Sequence, residues 1–162
     1  MVKFKHIILF ICVAASFAAC KKNAPIEDPY DPVPQFKADT TAIRAFITAN
    51  NIDAVKDANG IFYEIINPGS GNMSYSASTQ ITANYQGRLL NGTVFNDTKG
   101  TPINFVLGGV IVGWQIGIQK IQKGGTIRLI LPSLYAYGTI SPAASVPANS
   151  ILDFTITLTD VQ

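Results

Sequence analysis

An α+β fold, with one helix lying across an antiparallel sheet, is predicted by three patterns in the sequence. Leu152, Phe154, Ile156 and Leu158 alternate with Asp153, Thr155, Thr157 and Thr159, and Ile81, Ala83 and Tyr85 alternate with polar neighbours. A period of two marks strands with one buried face. Ile111, Trp114, Ile118 and Ile121 follow helical spacing instead, and so does an earlier set, Ala42, Ile43, Phe46 and Ile47. The third pattern is turn chemistry: Asn59-Gly60 opens the apolar run Ile61 to Ile66, and Pro68-Gly69-Ser70-Gly71 closes it.

Taken in chain order, the first element is an address. Lys3 and Lys5 precede an apolar run from Ile7 to Phe17, which is shorter than the ~20 residues needed to span a bilayer. Residues 1–19 therefore read as a signal peptide. Phe17-Ala18-Ala19-Cys20 resembles a bacterial lipobox, with Cys20 as the lipidated first residue of the mature chain; an ordinary cleaved signal with an incidental cysteine is the alternative. Acyl chains on Cys20 would hold the protein to a membrane, since two or more chains anchor stably where one is marginal. Lys21 is not the aspartate that retains lipoproteins at the inner membrane in well-studied didermal bacteria. Attachment in the cell envelope, at the outer rather than the inner membrane, is the expectation.

Residues 20–37 carry Pro25, Pro29, Pro32 and Pro34 among polar groups and read as an extended tether. Residues 38–58 read as an appended helical region, with Asp39 or Thr40 capping its start. It is expected to pack on the domain, leaving a monomer, rather than to dimerise. Residues 59–162 make the main domain, with a first strand over Ile61 to Ile66, the two alternating strands, and a further strand from Thr126 to Leu131.

Composition removes several classes of chemistry. The chain of 162 residues has 12 Lys or Arg against 10 Asp or Glu, and two of the basic residues lie in the signal, so the mature chain is near neutral. No basic stripe supports a nucleic-acid partner. Both cysteines, Cys12 and Cys20, and the one histidine, His6, are N-terminal, which leaves the domain without a disulfide, a thiol nucleophile, a histidine base or a histidine metal site. No cofactor is expected. The Asn-X-Ser/Thr matches at Asn72, Asn91 and Asn96 read as chance in a bacterial chain.

The segment Val110-Ile111-Val112-Gly113-Trp114-Gln115-Ile116-Gly117-Ile118 places the one tryptophan between two glycines on a short apolar helix. Each glycine inside a helix costs about 1 kcal/mol relative to alanine, so something must approach the helix closely. This segment, with Ala136-Tyr137-Gly138, Asn84-Tyr85-Gln86-Gly87, Asn91-Gly92-Thr93-Val94-Phe95-Asn96, Pro102-Ile103-Asn104-Phe105-Val106-Leu107-Gly108 and Val146-Pro147-Ala148-Asn149-Ser150-Ile151-Leu152-Asp153-Phe154, resembles the FKBP-type peptidyl-prolyl cis/trans isomerases over roughly residues 60–162.

The resemblance implies a twisted antiparallel sheet wrapped around one short helix, with the helix of residues 38–58 as an extra. It implies peptidyl-prolyl isomerase activity on proline-containing unfolded or folding proteins, or, as the alternative, a low-activity proline-binding chaperone or assembly module. It also implies a site: Tyr85, Phe95, Asn96 and Tyr137 as catalytic residues, and Val110, Ile111, Trp114, Val146, Phe154, Ile103 and Phe105 as substrate-binding residues. Trp114 would be the floor, Tyr137 a hydroxyl donor to a substrate carbonyl, and the Ile111 amide a second donor. Two departures stand out. Ile103 replaces a frequent aromatic and makes one wall smaller, and Asn96 replaces the aspartate that usually follows the phenylalanine matched by Phe95, with Asp97 one position later.

Overall fold

The computed structural model describes residues 32–162; the segments read as signal peptide and tether, with Cys20, lie outside the described residues as far as residue 31. The elements in chain order are α1 (Pro32–Ala49), β1 (Val55–Lys56), β2 (Phe62–Asn67), β3 (Gln80–Leu89), β4 (Val94–Asp97), β5 (Ile103–Val106), α2 (Val112–Ile118), β6 (Thr126–Leu131) and β7 (Leu152–Val161). Short 3₁₀ turns cover Leu107–Gly109 and Ser133–Tyr135.

The strands form one antiparallel sheet in the order β1-β2-β6-β7-β3-β4, and β5 also pairs with β3. β3 therefore carries two short strands along one edge, β5 opposite Gln80–Ala83 and β4 opposite Gln86–Arg88. Alternation divides the sheet into two faces. On one face Ile81, Ala83, Ile127, Leu129, Leu131, Leu152, Phe154, Ile156 and Leu158 enclose Trp114 and Ile118 of α2 in the main core. On the other face Phe62 and Ile130 meet Ile43, Phe46 and Ile47 of α1.

The glycines of α2 explain how the helix sits so close. A Cβ at Gly113 would lie 2.5 Å from Leu131 Cδ1, and one at Gly117 would lie 2.5 Å from Leu129 Cδ1. The neighbour that the sequence demanded is strand β6, whose leucines fill the space where two side chains would be.

α1 begins earlier than the sequence suggested. It starts at Pro32, inside the segment read as tether, because Pro32 and Pro34 occupy the first helical turn, where a missing N–H costs no hydrogen bond. Asp39 is accordingly no cap. It lies within the helix, 2% exposed, and its carboxylate is turned into the protein. The helix ends with Asn51 at φ 50°, and the Ile52 N–H bonds the Ile47 carbonyl at 3.1 Å, closing the last turn through a left-handed residue.

Candidate functional site

α2, the loop before it, the loop that carries Tyr137 and four strands, β3, β4, β5 and β7, converge on one aromatic cavity of about 270 Å³. This lies just below the ~300–1,000 Å³ of small-molecule sites and suits one ring rather than an extended ligand. Trp114, only 4% exposed, is its floor. Three rings stand edge-on to the indole: Tyr85 at 5.0 Å and 85°, Phe154 at 5.4 Å and 88°, and Phe105 at 5.7 Å and 72°. Such T-shaped contacts put positive ring edges against negative faces and fix the floor in one orientation.

The wall beside β4 depends on a bulge. β3 and β4 pair Gly87 with Asn96 and then Arg88 with Val94, so Phe95 is an extra residue on β4. Regular alternation would send Phe95 and Asn96 to opposite faces, but a bulge breaks that rule, and both side chains line the cavity. Gly87 is required opposite them: a Cβ there would lie 2.6 Å from Phe95 Cζ and 2.8 Å from Phe154 Cε1. Asp97 points the other way. Gln86 Nε2 donates to it at 2.9 Å and the Lys99 amide at 2.7 Å, and these bonds, Gln86 first, hold its carboxyl below the usual carboxylate range. The wall presents a neutral amide, and the adjacent carboxylate is committed to the outer face.

Val110, Ile111 and Tyr137 complete the rim. The Gln115 amide donates to the Val110 carbonyl at 2.7 Å, folding the α2 side chain back over the loop before it. Tyr137 follows the 3₁₀ turn, bracketed by hydrogen bonds from the Ala136 and Gly138 amides to the Ser133 carbonyl, both 2.9 Å. Burial, and then the neighbouring Tyr137, push the Tyr85 phenol above its ordinary range, so Tyr85 keeps its proton at physiological pH. Among the described residues the Trp114 indole N–H is buried without a hydrogen-bond partner, and none holds the Tyr137 hydroxyl. Nor do the described residues group three or more His, Cys, Asp or Glu side chains in a way that could hold a metal.

The cavity thus gathers Tyr85, Phe95, Asn96, Phe105, Val110, Ile111, Trp114, Tyr137 and Phe154 from the residues singled out by sequence. Val146 and Ile103 are not on its wall. Val146 is 2% exposed and belongs to the core, its amide bonded to the Ala143 carbonyl. Ile103 opens edge strand β5, which pairs only with β3, and 44% of it faces solvent. Gly109 lines the cavity without having been singled out; a Cβ there would meet nothing within 4 Å, so packing does not require the glycine. The pair Gly108-Gly109 just before a helix was the available signal.

The sheet thus presses a helix with two interior glycines against a cavity lined by aromatic and uncharged side chains, the α+β architecture of an isomerase-type domain. Residues 71–159 match the family described as FKBP-type peptidyl-prolyl cis-trans isomerase, and the chain belongs to that family. It is 41% identical over 109 residues to the FKBP-type isomerase FkpA of Buchnera aphidicola subsp. Schizaphis graminum, covering 66% of this chain and 43% of that one. The isomerase Mip of Coxiella burnetii is 37% identical over 123 residues, 74% of this chain and 53% of the other. The chain spans about half the length of these curated relatives. Among solved structures, FkpA from Escherichia coli superposes with a TM-score of 0.68 at 33% identity, covering 80% of this chain and 60% of that one. A peptidyl-prolyl isomerase from Pseudomonas syringae gives 0.66 at 28% identity, with 82% and 97% covered.

Proposed function

We propose that this chain is a peptidyl-prolyl cis/trans isomerase that assists the folding of proteins in the bacterial cell envelope, tethered there as a monomer by acyl chains on Cys20. Rotation about an X-Pro bond faces a barrier of roughly 18–20 kcal/mol from amide resonance and takes tens to hundreds of seconds unaided. No bond is broken, so neither a nucleophile nor a metal is required. A cavity that removes water from the carbonyl and fits the twisted amide better than the planar one lowers the barrier by differential binding.

The observation that carries this reading is that Trp114 and Tyr137, whose hydroxyl no described residue holds, line one cavity the size of a single ring. The proline ring would lie on the indole, Phe154 and Val110 would exclude water at its sides, and the Tyr137 hydroxyl and Ile111 amide would donate to substrate carbonyls. Tyr85 and Phe95 would hold the rotating amide against the wall, with Phe105 backing the floor. Asn96 favours a second reading, a proline-binding chaperone with the same cavity and slow turnover, because a neutral amide accepts weaker hydrogen bonds and orients neighbouring donors less firmly than a carboxylate would.

A protease-free kinetic measurement on prolyl peptides, using the chain from residue 21, separates the two. Faster exchange for Leu-Pro and Phe-Pro than for Glu-Pro is expected from an uncharged rim. Binding without acceleration would leave the chaperone, and neither would sink both readings. For the tether, full-length protein should partition into detergent and incorporate labelled lipid, and Cys20→Ser should abolish the labelling. Persistent labelling of that variant would move the anchor elsewhere.

A further inference from the structure

The buried carboxylate of α1 reaches the turn that carries Tyr137. Asp39 Oδ2 accepts the Ser133 amide at 2.8 Å and the Ser133 hydroxyl at 2.6 Å, and Oδ1 accepts Gln35 Nε2 at 2.7 Å. Asp39 and Ser133 are 2% and 1% exposed. A carboxylate taken out of water is tolerated only where hydrogen bonds replace its hydration, and here all three are neutral donors. Hydrogen bonds of this kind are an expensive way to dock a helix that already buries Ile43 and Phe46 on the sheet. Their position is what distinguishes them.

Ser133 is also the hub of the rim turn. Its carbonyl accepts the Ala136 and Gly138 amides on either side of Tyr137, and the Gly138 carbonyl in turn accepts the Asn149 amide at 2.7 Å. The other end of the 3₁₀ turn is held by the same helix: Phe36 packs edge-on against Tyr135 at 6.1 Å, and the Tyr135 hydroxyl donates to the Asn59 carbonyl at 2.7 Å. Phe36 occupies the space above Gly60 that any side chain there would fill. Two side chains one helical turn apart, Phe36 and Asp39, thus grip both ends of a turn of three residues, and Tyr137 leaves that turn for the cavity.

We propose that Asp39 is a positioning residue for Tyr137, fixing the rim hydroxyl through Ser133, so that docking of α1 sets the geometry of the cavity on the opposite face of the sheet. This rests on the isomerase reading only for its kinetic consequence. The latch itself is a statement about the turn.

The test uses the full chain in detergent with Asp39→Ala, Asp39→Asn and Ile43→Ala, the last loosening α1 without touching Ser133. Amide hydrogen exchange at Ala136 and Gly138, and kcat and KM for a Leu-Pro peptide, are measured at matched residual stability. Asp39→Ala should speed exchange at these two amides about tenfold or more, the loss expected from hydrogen bonds to a charged group, and lower kcat with little change in KM. Asp39→Asn keeps an acceptor oxygen and should recover part of both. Should Asp39→Ala not fold, Ser133→Ala removes the hydroxyl bond alone and should show the same signature at smaller size. Equal changes in Asp39→Ala and Ile43→Ala at both readouts would overturn the latch. If the parent chain does not isomerise the peptide, the isomerase reading fails, and the exchange rates at Ala136 and Gly138 still decide the latch.

Discussion

The two faces of the sheet are built from the same strands by opposite rules. On β7 the face changes between neighbours: Phe154 stands over Trp114, while Asp153, 2% exposed, faces the other way. There Arg128 binds the carboxylate in two-pronged fashion at 2.9 and 2.8 Å, and Arg88 approaches to 3.4 Å while donating to Thr155 and Gln86. The outer face satisfies its polar groups internally. On the cavity face the Trp114 N–H is buried without a hydrogen-bond partner among the described residues, and no described residue holds the Tyr137 hydroxyl. A surface that spends its donors on itself is scaffold, and one that withholds them is prepared for something else.

The comparison can be broken from either side. Trp114→Ala should have the largest effect, about 3–5 kcal/mol in chemical denaturation, because it empties the centre of the core as well as the cavity floor; a loss below that would mean the indole is held less tightly than its three ring contacts imply. Asp153→Ala should cost about 2–3 kcal/mol, less than for a fully buried pair because both arginines keep some water. It should leave prolyl-peptide affinity unchanged at an equal folded fraction, and weakened binding would show that this ion-pair cluster, and not only α1, is coupled to the cavity. Asn96→Asp should raise turnover about tenfold, the equivalent of 1.4 kcal/mol in the barrier, while Asp97→Asn should do nothing to turnover. The reverse pattern would place the effective carboxylate on the outer face.

Smaller effects sharpen the contrast. Tyr137→Phe should reduce kcat/KM several-fold, the size of about one hydrogen bond, with stability unchanged because the hydroxyl has no internal partner. The exposed Lys123–Asp160 pair should give the least. Lys123 and then Gln162 lower the Asp160 pKa from 3.8 to about 2, so any stabilisation is present above 3.8 and lost as pH falls toward 2. Acid titration of Lys123→Ala against the parent should show a difference above pH 4 that vanishes near pH 2 and shrinks in salt.

The parts of this architecture that follow from local period were legible in the sequence. Alternation in Ile81 to Tyr85 and Leu152 to Leu158 marked β3 and β7, and turn chemistry bounded β2 within a residue. The two short edge strands β4 and β5 carry too few residues to show a period of their own. Pro32 and Pro34 concealed the start of α1, since proline in a first helical turn and proline in a tether look alike without the packing that distinguishes them. Asp39 looked like a cap for the same reason. Its true partner, Ser133, is 94 positions away, and no local signal reports such a contact. At the site, order of residue types along the chain identified the aromatic wall, but Val146 and Ile103 show that order does not say which side of a loop or edge strand meets the cavity. The bulge at Phe95 makes the same point, since it is visible only in the pairing with Gly87.

The position of β7 in the sheet also governs when the cavity can exist. It is last in chain order among the strands, yet it lies between β6 and β3. Until it arrives, β1-β2-β6 and β3-β4-β5 are two fragments with no shared edge, and Phe154 is missing from the cavity wall. Its pairs with β3 join residues about seventy positions apart, Tyr85 to Ile156 and Gly87 to Phe154, and contacts so distant in sequence are slow to form and tend to form together. Among the described residues β7 is thus the element that joins the two halves of the sheet and closes the cavity wall in the same set of pairings.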